Sequence, residues 1–123
     1  MAGRVPRHVV ARGPNGTVEC AVRSNGSMEA REFLNNSQCK QYLASILALF
    51  QTIVNLNPDD DEVKPKPLKK TMIHEFIKGQ VRIFCYRDGS AWVLTHGDLK
   101  KTRGTPQSNI DRAERIRSED LAS

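Results

Sequence analysis

The chain has 123 residues, 38% of them hydrophobic and 27% charged, which suits one folded domain and excludes a disordered composition. Its longest apolar run, YLASILALF, falls well short of the ~18 residues of a membrane span. The basic start, MAGRVPRHVVARGPNG, lacks the apolar segment of a secretory signal, so a cytoplasmic chain without a membrane partner is expected.

The charge is unevenly placed. Residues 1–63 carry six basic and seven acidic side chains, whereas residues 64–123 carry thirteen basic and seven acidic ones. That imbalance is either a solvated basic surface or a polyanion-binding half, because clustered cations attract phosphate at long range. The three cysteines, Cys20, Cys39 and Cys85, match neither a disulfide framework nor the spacing of a metal site. No metal or cofactor is expected.

In chain order, residues 1–16 read as a disordered basic tail, although VPRHVV has the composition of a short strand. A single domain is expected over residues 17–120. Thr17–Val22 (TVECAV) reads as a strand closed by Ser24-Asn25-Gly26, after which Ser27 caps a short helix, Met28–Leu34. Ser37–Leu56 is the clearest helix, since Leu43, Ile46, Leu47, Phe50, Ile53 and Val54 form an apolar stripe. Asn57-Pro58 ends it, and DDDEVKPKP is a loop that lacks the ligand spacing of a calcium site.

Three strands follow. Leu68–Ile77 and Val81–Tyr86 flank Lys78-Gly79, and Val81–Tyr86 and Ala91–His96 flank a hairpin turn at Asp88-Gly89, read as type I′. That turn pairs Phe84 with Val93 and Arg82 with Thr95, and sets Ile83 opposite Leu94 and Cys85 opposite Trp92. Strict alternation puts Arg82 and Glu75 on one face and His74 and His96 on the other. Thr105 and Pro106 then open a C-terminal helix whose Ile110, Ala113 and Ile116 face the body. The fold class is α+β: a small antiparallel β-sheet packed against an N-terminal helical hairpin, with a C-terminal helix.

The stretch FIKGQVRIFCYRDGSAWVLTHGDLKKTRGTPQSNIDRA, Phe76 to Ala113, carries an ordered set of motifs. An arginine strand ends in an aromatic residue (VRIFCY), a hairpin leads into AWVLTHG, a double lysine follows (LKKT), and Thr-Pro opens a helix with I-x-x-A. With the upstream MEAREFLNN, this resembles the RelE/HigB-type toxins of type II toxin–antitoxin modules, closest to their phage-associated branch. The resemblance implies a cytoplasmic toxin that cleaves mRNA on the ribosome without a metal. It implies as partners the ribosome, mRNA and a cognate antitoxin of helix-turn-helix type, with either a homo-oligomer or a toxin–antitoxin hetero-oligomer as the assembly. A gyrase-poisoning branch shares the fold, so a non-nucleolytic inhibitor and an inactive, antitoxin-binding phage remnant stand beside the nuclease.

Cleavage through the 2′-hydroxyl needs a base, cations for the phosphorane and an acid for the leaving oxygen. The resemblance makes Arg82, Lys100, Lys101 and His74 the catalytic set, and Lys69, Lys70, Arg103 and Tyr86 the RNA-binding set. Arg82 has the alternative of a structural pair with Glu75, the lysines that of a solvated loop, and the histidines that of a packing role. Two departures stand out: MIHEFI, with Glu75, replaces the lysine-bearing strand of many members, and no tyrosine follows the double lysine.

Overall fold

The computed structural model describes residues 5–56, 63–100 and 104–122. Within the expected tail lies a strand: His8–Gly13 (β1) pairs antiparallel with Gly16–Cys20 (β2), with a bulge between Val9 and Ala11. The hairpin is held from outside. The Asn15 backbone N–H donates to Val54 O at 2.8 Å, and the Asn15 side chain donates to Asn55 O at 3.0 Å, satisfying carbonyls at the end of a helix. Gly16 lies so close to Ser90 that a Cβ there would stand 2.0 Å from its carbonyl oxygen.

The helices that follow share one face of the sheet. Glu29–Leu34 (α1) starts after Met28, with no side-chain cap, so Ser27 does not take the expected role. The helix expected over Ser37–Leu56 is shorter: a 3-10 turn at Lys40–Tyr42 leads into Leu43–Leu56 (α2). Ile46, Phe50, Ile53 and Val54 of the stripe are buried, while Leu47 faces solvent.

Lys66–Pro67 (β3), Ile73–Lys78 (β4), Val81–Asp88 (β5) and Ala91–Leu99 (β6) complete a six-stranded sheet in the order β1-β2-β6-β5-β4-β3. It is antiparallel except where β2 runs parallel to β6. Gln107–Ala122 (α3) covers the second face. The α+β architecture is therefore as expected, with a core on each side. Val18, Ile46, Phe50, Ile83 and Leu94 belong to the α1/α2 side, and Ile73, Phe84, Tyr86, Val93 and Ile116 to the α3 side. Among the described residues no helix is long and apolar enough to cross a membrane.

The central hairpin departs from the expected register by two residues. Asp88 pairs with Ala91, Tyr86 with Val93 and Cys85 with Leu94, so Gly89-Ser90 forms the tip. Gly89 has φ of 60° and Ser90 stays outside the positive-φ region, the pattern of a type II′ rather than a type I′ turn. Beyond Leu94 the ladder shifts again. Phe84 pairs with His96 and Arg82 with Asp98, leaving Thr95 as the extra residue of a bulge. Thr95 is buried, and its hydroxyl lies 3.1 Å from Phe84 O. Because one inserted residue reverses the alternation, His96 and Asp98 turn toward α3 instead of α1/α2.

Candidate functional site

At one end of the α3 face, where β5 begins and β6 ends, a cavity of about 200 Å³ opens among Glu75, Arg82, Phe84, Asp98, Lys100 and Asn109. The alternation of β5 turns Arg82 to this face, and the β4–β5 turn holds it. Its Nη1 donates to Gly79 O at 2.7 Å and Val81 O at 3.0 Å. The residue opposite Arg82 is Ile77, not Glu75, which instead accepts a hydrogen bond from the Thr105 hydroxyl at 3.2 Å. The expected Arg82–Glu75 pair is thus a shared cavity rather than a contact, and Pro106, whose carbonyl accepts from Asn109 N and Ile110 N, rather than Thr105 stands at the cap position before α3. Lys100 is exposed beside Arg82, its backbone N–H bonded to Gln80 O at 2.7 Å.

The wall toward α3 is a chain of polar side chains. Asp98 accepts from Leu99 N at 2.8 Å and from the Asn109 amide at 3.1 Å. Asn109 Oδ1 lies 3.2 Å from His96 Nε2, and His96 Nδ1 lies 3.2 Å from the Thr95 hydroxyl. His96, 2% exposed, also stacks on Phe84 with centroids 4.8 Å apart. Burial lowers its pKa, against the opposing pull of the Asn109 hydrogen bond, so the ring is neutral near pH 7. With both nitrogens engaged, it anchors α3 rather than meeting a ligand. The first turn of α3 directs the positive end of its dipole to this end of the sheet, where it favours an anion.

The other expected site residues fall elsewhere. His74 lies on the α1/α2 face, as alternation requires, with its ring 5.0 Å from that of Trp92, and it is separated from Arg82 by the sheet. Tyr86 is 1% exposed and donates to the Asp120 carboxylate, so an RNA-contacting role is incompatible with its burial. Lys69 and Lys70 are exposed in the turn before β4, at the end of that strand away from Arg82. Lys101 and Arg103 lie outside the described residues. Of the expected set, Arg82 and Lys100 come together. Asp98, Asn109 and the inward-facing His96 join them through the Thr95 bulge, which hydrophobic alternation does not encode.

A second polar cluster lies under the far end of α3. Arg7 donates to Asp120 at 2.6 Å and to Asp88 at 2.8 Å, and the Val22 N–H donates to Asp120 at 2.8 Å. Burial alone would raise the Asp120 carboxyl, but the bonds from Arg7, Tyr86 and Val22 more than reverse it and leave its pKa lowered. Beside it Glu119 bonds Arg23 and Ser24, which pulls its carboxyl down to about 2.

No protein-family model matches the chain, and no curated protein matches it as a relative.

Proposed function

We propose that the chain is the toxin of a type II toxin–antitoxin pair, similar to the RelE/HigB toxins, and cleaves ribosome-bound mRNA without a metal. The observation that carries this reading is the convergence of Arg82 and Lys100 on one cavity beside the first turn of α3. A guanidinium and an ammonium suit a phosphodiester, and both strengthen their hold as charge grows on the phosphorane. Asp98, whose carboxylate lines the same cavity, is the group we assign to take the 2′-hydroxyl proton. The 2′-oxygen then attacks phosphorus, the bond to the 5′-oxygen breaks, and Lys100 supplies a proton to that leaving oxygen. The products are a 2′,3′-cyclic phosphate and a 5′-hydroxyl end. In this reading the ribosome orients the mRNA, which reduces what the side chains must do. The setting is the cytoplasm, with a helix-turn-helix antitoxin as the neutralising partner.

The test is controlled expression followed by mapping of mRNA ends. New 5′-hydroxyl ends within translated messages support the reading, and unchanged transcripts with unchanged growth overturn it. A second reading, inhibition without cleavage, draws on the two carboxylates in the cavity and on a buried His96 with both nitrogens engaged. Induced DNA damage with intact transcripts would favour a gyrase-type target. Capture of an antitoxin without toxicity would favour an inactive remnant.

A further inference from the structure

The cavity beside Arg82 changes character with depth. Phe84, Asn109 and Glu75 are buried at its base, Arg82 is half-buried, and Lys100 and Pro106 stand exposed at its edge. At about 200 Å³ it is smaller than the roughly 300–1,000 Å³ of sites for whole drug-sized ligands, a size for one ring system rather than a complete nucleotide.

Glu75 is the anomaly at the base. A buried carboxylate is ordinarily met by a cation or by several N–H donors, as Asp120 is by Arg7, Tyr86 and the Val22 N–H. Glu75 is 5% exposed, yet among the described residues its carboxylate accepts only from the Thr105 hydroxyl, at Oε1, and joins no ion pair. Its Oε2 is left unbonded at the cavity. Asp98 differs, because both of its oxygens are occupied, one by Leu99 N and the other by the Asn109 amide. A carboxylate with acceptor capacity to spare is answered by two neighbouring N–H groups in one plane. Of the four RNA bases guanine alone has them, at N1 and N2 of its Watson–Crick edge. Adenine and cytosine set a ring acceptor beside their amino group, and uracil flanks its one N–H with carbonyls.

We propose that this cavity takes the guanine base of the nucleotide on the 5′ side of the scissile phosphate, with Glu75 as the residue that reads it. Phe84 and Pro106 supply apolar walls for the ring, and Arg82 and Lys100 meet the phosphate that follows. The inference rests on the reading of this cavity as an RNA-cleaving site and adds a base preference to it: cleavage after guanosine.

Binding is measured on the full chain without ribosomes, so the result does not depend on cleavage. Guanosine, inosine and adenosine 3′-monophosphates are titrated in turn at low salt, and the amide signals of Glu75 and Asn109 are followed by NMR. The guanosine nucleotide is expected to bind about tenfold or more tightly than the adenosine one, the order of a single bidentate base contact. Inosine, which lacks the 2-amino group, is expected to bind more weakly than guanosine. Glu75→Gln, nearly isosteric, removes one acceptor and should bring the guanosine affinity down to that of adenosine. Arg82→Ala should weaken both nucleotides alike. Equal affinity for guanosine and adenosine, no shift of these amides, or a guanosine preference unchanged in folded Glu75→Gln overturns the proposal. Should that variant not fold, equal binding of guanosine and inosine by the unaltered chain overturns it as well. A guanosine preference without mRNA cleavage in cells keeps Glu75 as the base reader and overturns the nuclease reading alone. Cleavage that shows no preference for guanosine does the opposite.

Discussion

The two ends of α3 rest on polar clusters built to different ends. At the C-terminal end Asp120 is fully buried and is met by Arg7, Tyr86 and the Val22 N–H, so its charge is answered from three directions. At the N-terminal end Asn109, His96 and Asp98 bond one another, while Arg82 and Lys100 border an open cavity. A saturated cluster contributes stability and has little left to offer a ligand. An unsaturated one at a cavity holds cations where an anion can reach them.

Substitutions should separate these roles. Asp120→Ala leaves Arg7 without its main partner and the Tyr86 O–H without its acceptor, and is expected to cost roughly 3–5 kcal/mol in denaturant unfolding. Arg82→Ala should do the reverse. Its turn contacts make its loss worth less than about 1 kcal/mol, whereas the proposed mRNA cleavage should fall by about 10²–10³-fold in cells. An Arg82→Ala protein that unfolds as readily as Asp120→Ala would erase the distinction. Tyr86→Phe removes one hydroxyl from the closed cluster and should cost about 1–2 kcal/mol, with the proposed cleavage unaffected.

The same comparison has a pH form. The folded state lowers the pKa of His96, so protonation favours unfolding. Its contribution is complete above the ordinary histidine value of about 6.5 and declines as pH falls below that toward the depressed folded value. Asp120 is also lowered, so its contribution persists until pH falls below the ordinary carboxylate value of about 3.9 and on toward its own folded value. Acid should therefore loosen the cavity end of α3 first and the Asp120 end later. Thermal midpoints measured from pH 8 to pH 3 test this, and His96→Gln should flatten the upper part of the slope. His74, lowered by burial on the other face, contributes the slope that remains.

Elements with strong local patterning were legible in the sequence. The stripe through Ile46, Phe50 and Ile53 marks α2, and the two glycine turns mark the β4–β5–β6 meander. Arg82 was legible as a charged residue on an otherwise apolar strand. What alternation could not supply is the Thr95 bulge, since one extra residue leaves no trace in composition yet moves His96 and Asp98 to the other face. The two-residue shift at Gly89-Ser90 kept each side chain on its face and changed only its partner. Strand β1 was illegible for another reason. Its order depends on Asn15 meeting Val54 and Arg7 meeting Asp120, contacts that join distant parts of the chain. Tyr86 at the end of a basic strand resembles a base-stacking residue until Asp120 is seen beneath it.

Arg7 and Asp120 are 113 residues apart in the chain. At about 5–20 residues per second of synthesis, the arginine waits on the order of ten seconds before its carboxylate has been made. During that interval the helices on one face can already pack, but α3 has nothing to fasten its far end, and the cavity bordered by Arg82 has no lid of helix beside it. The order of manufacture thus makes the Arg82 cavity among the last parts of the protein to take shape.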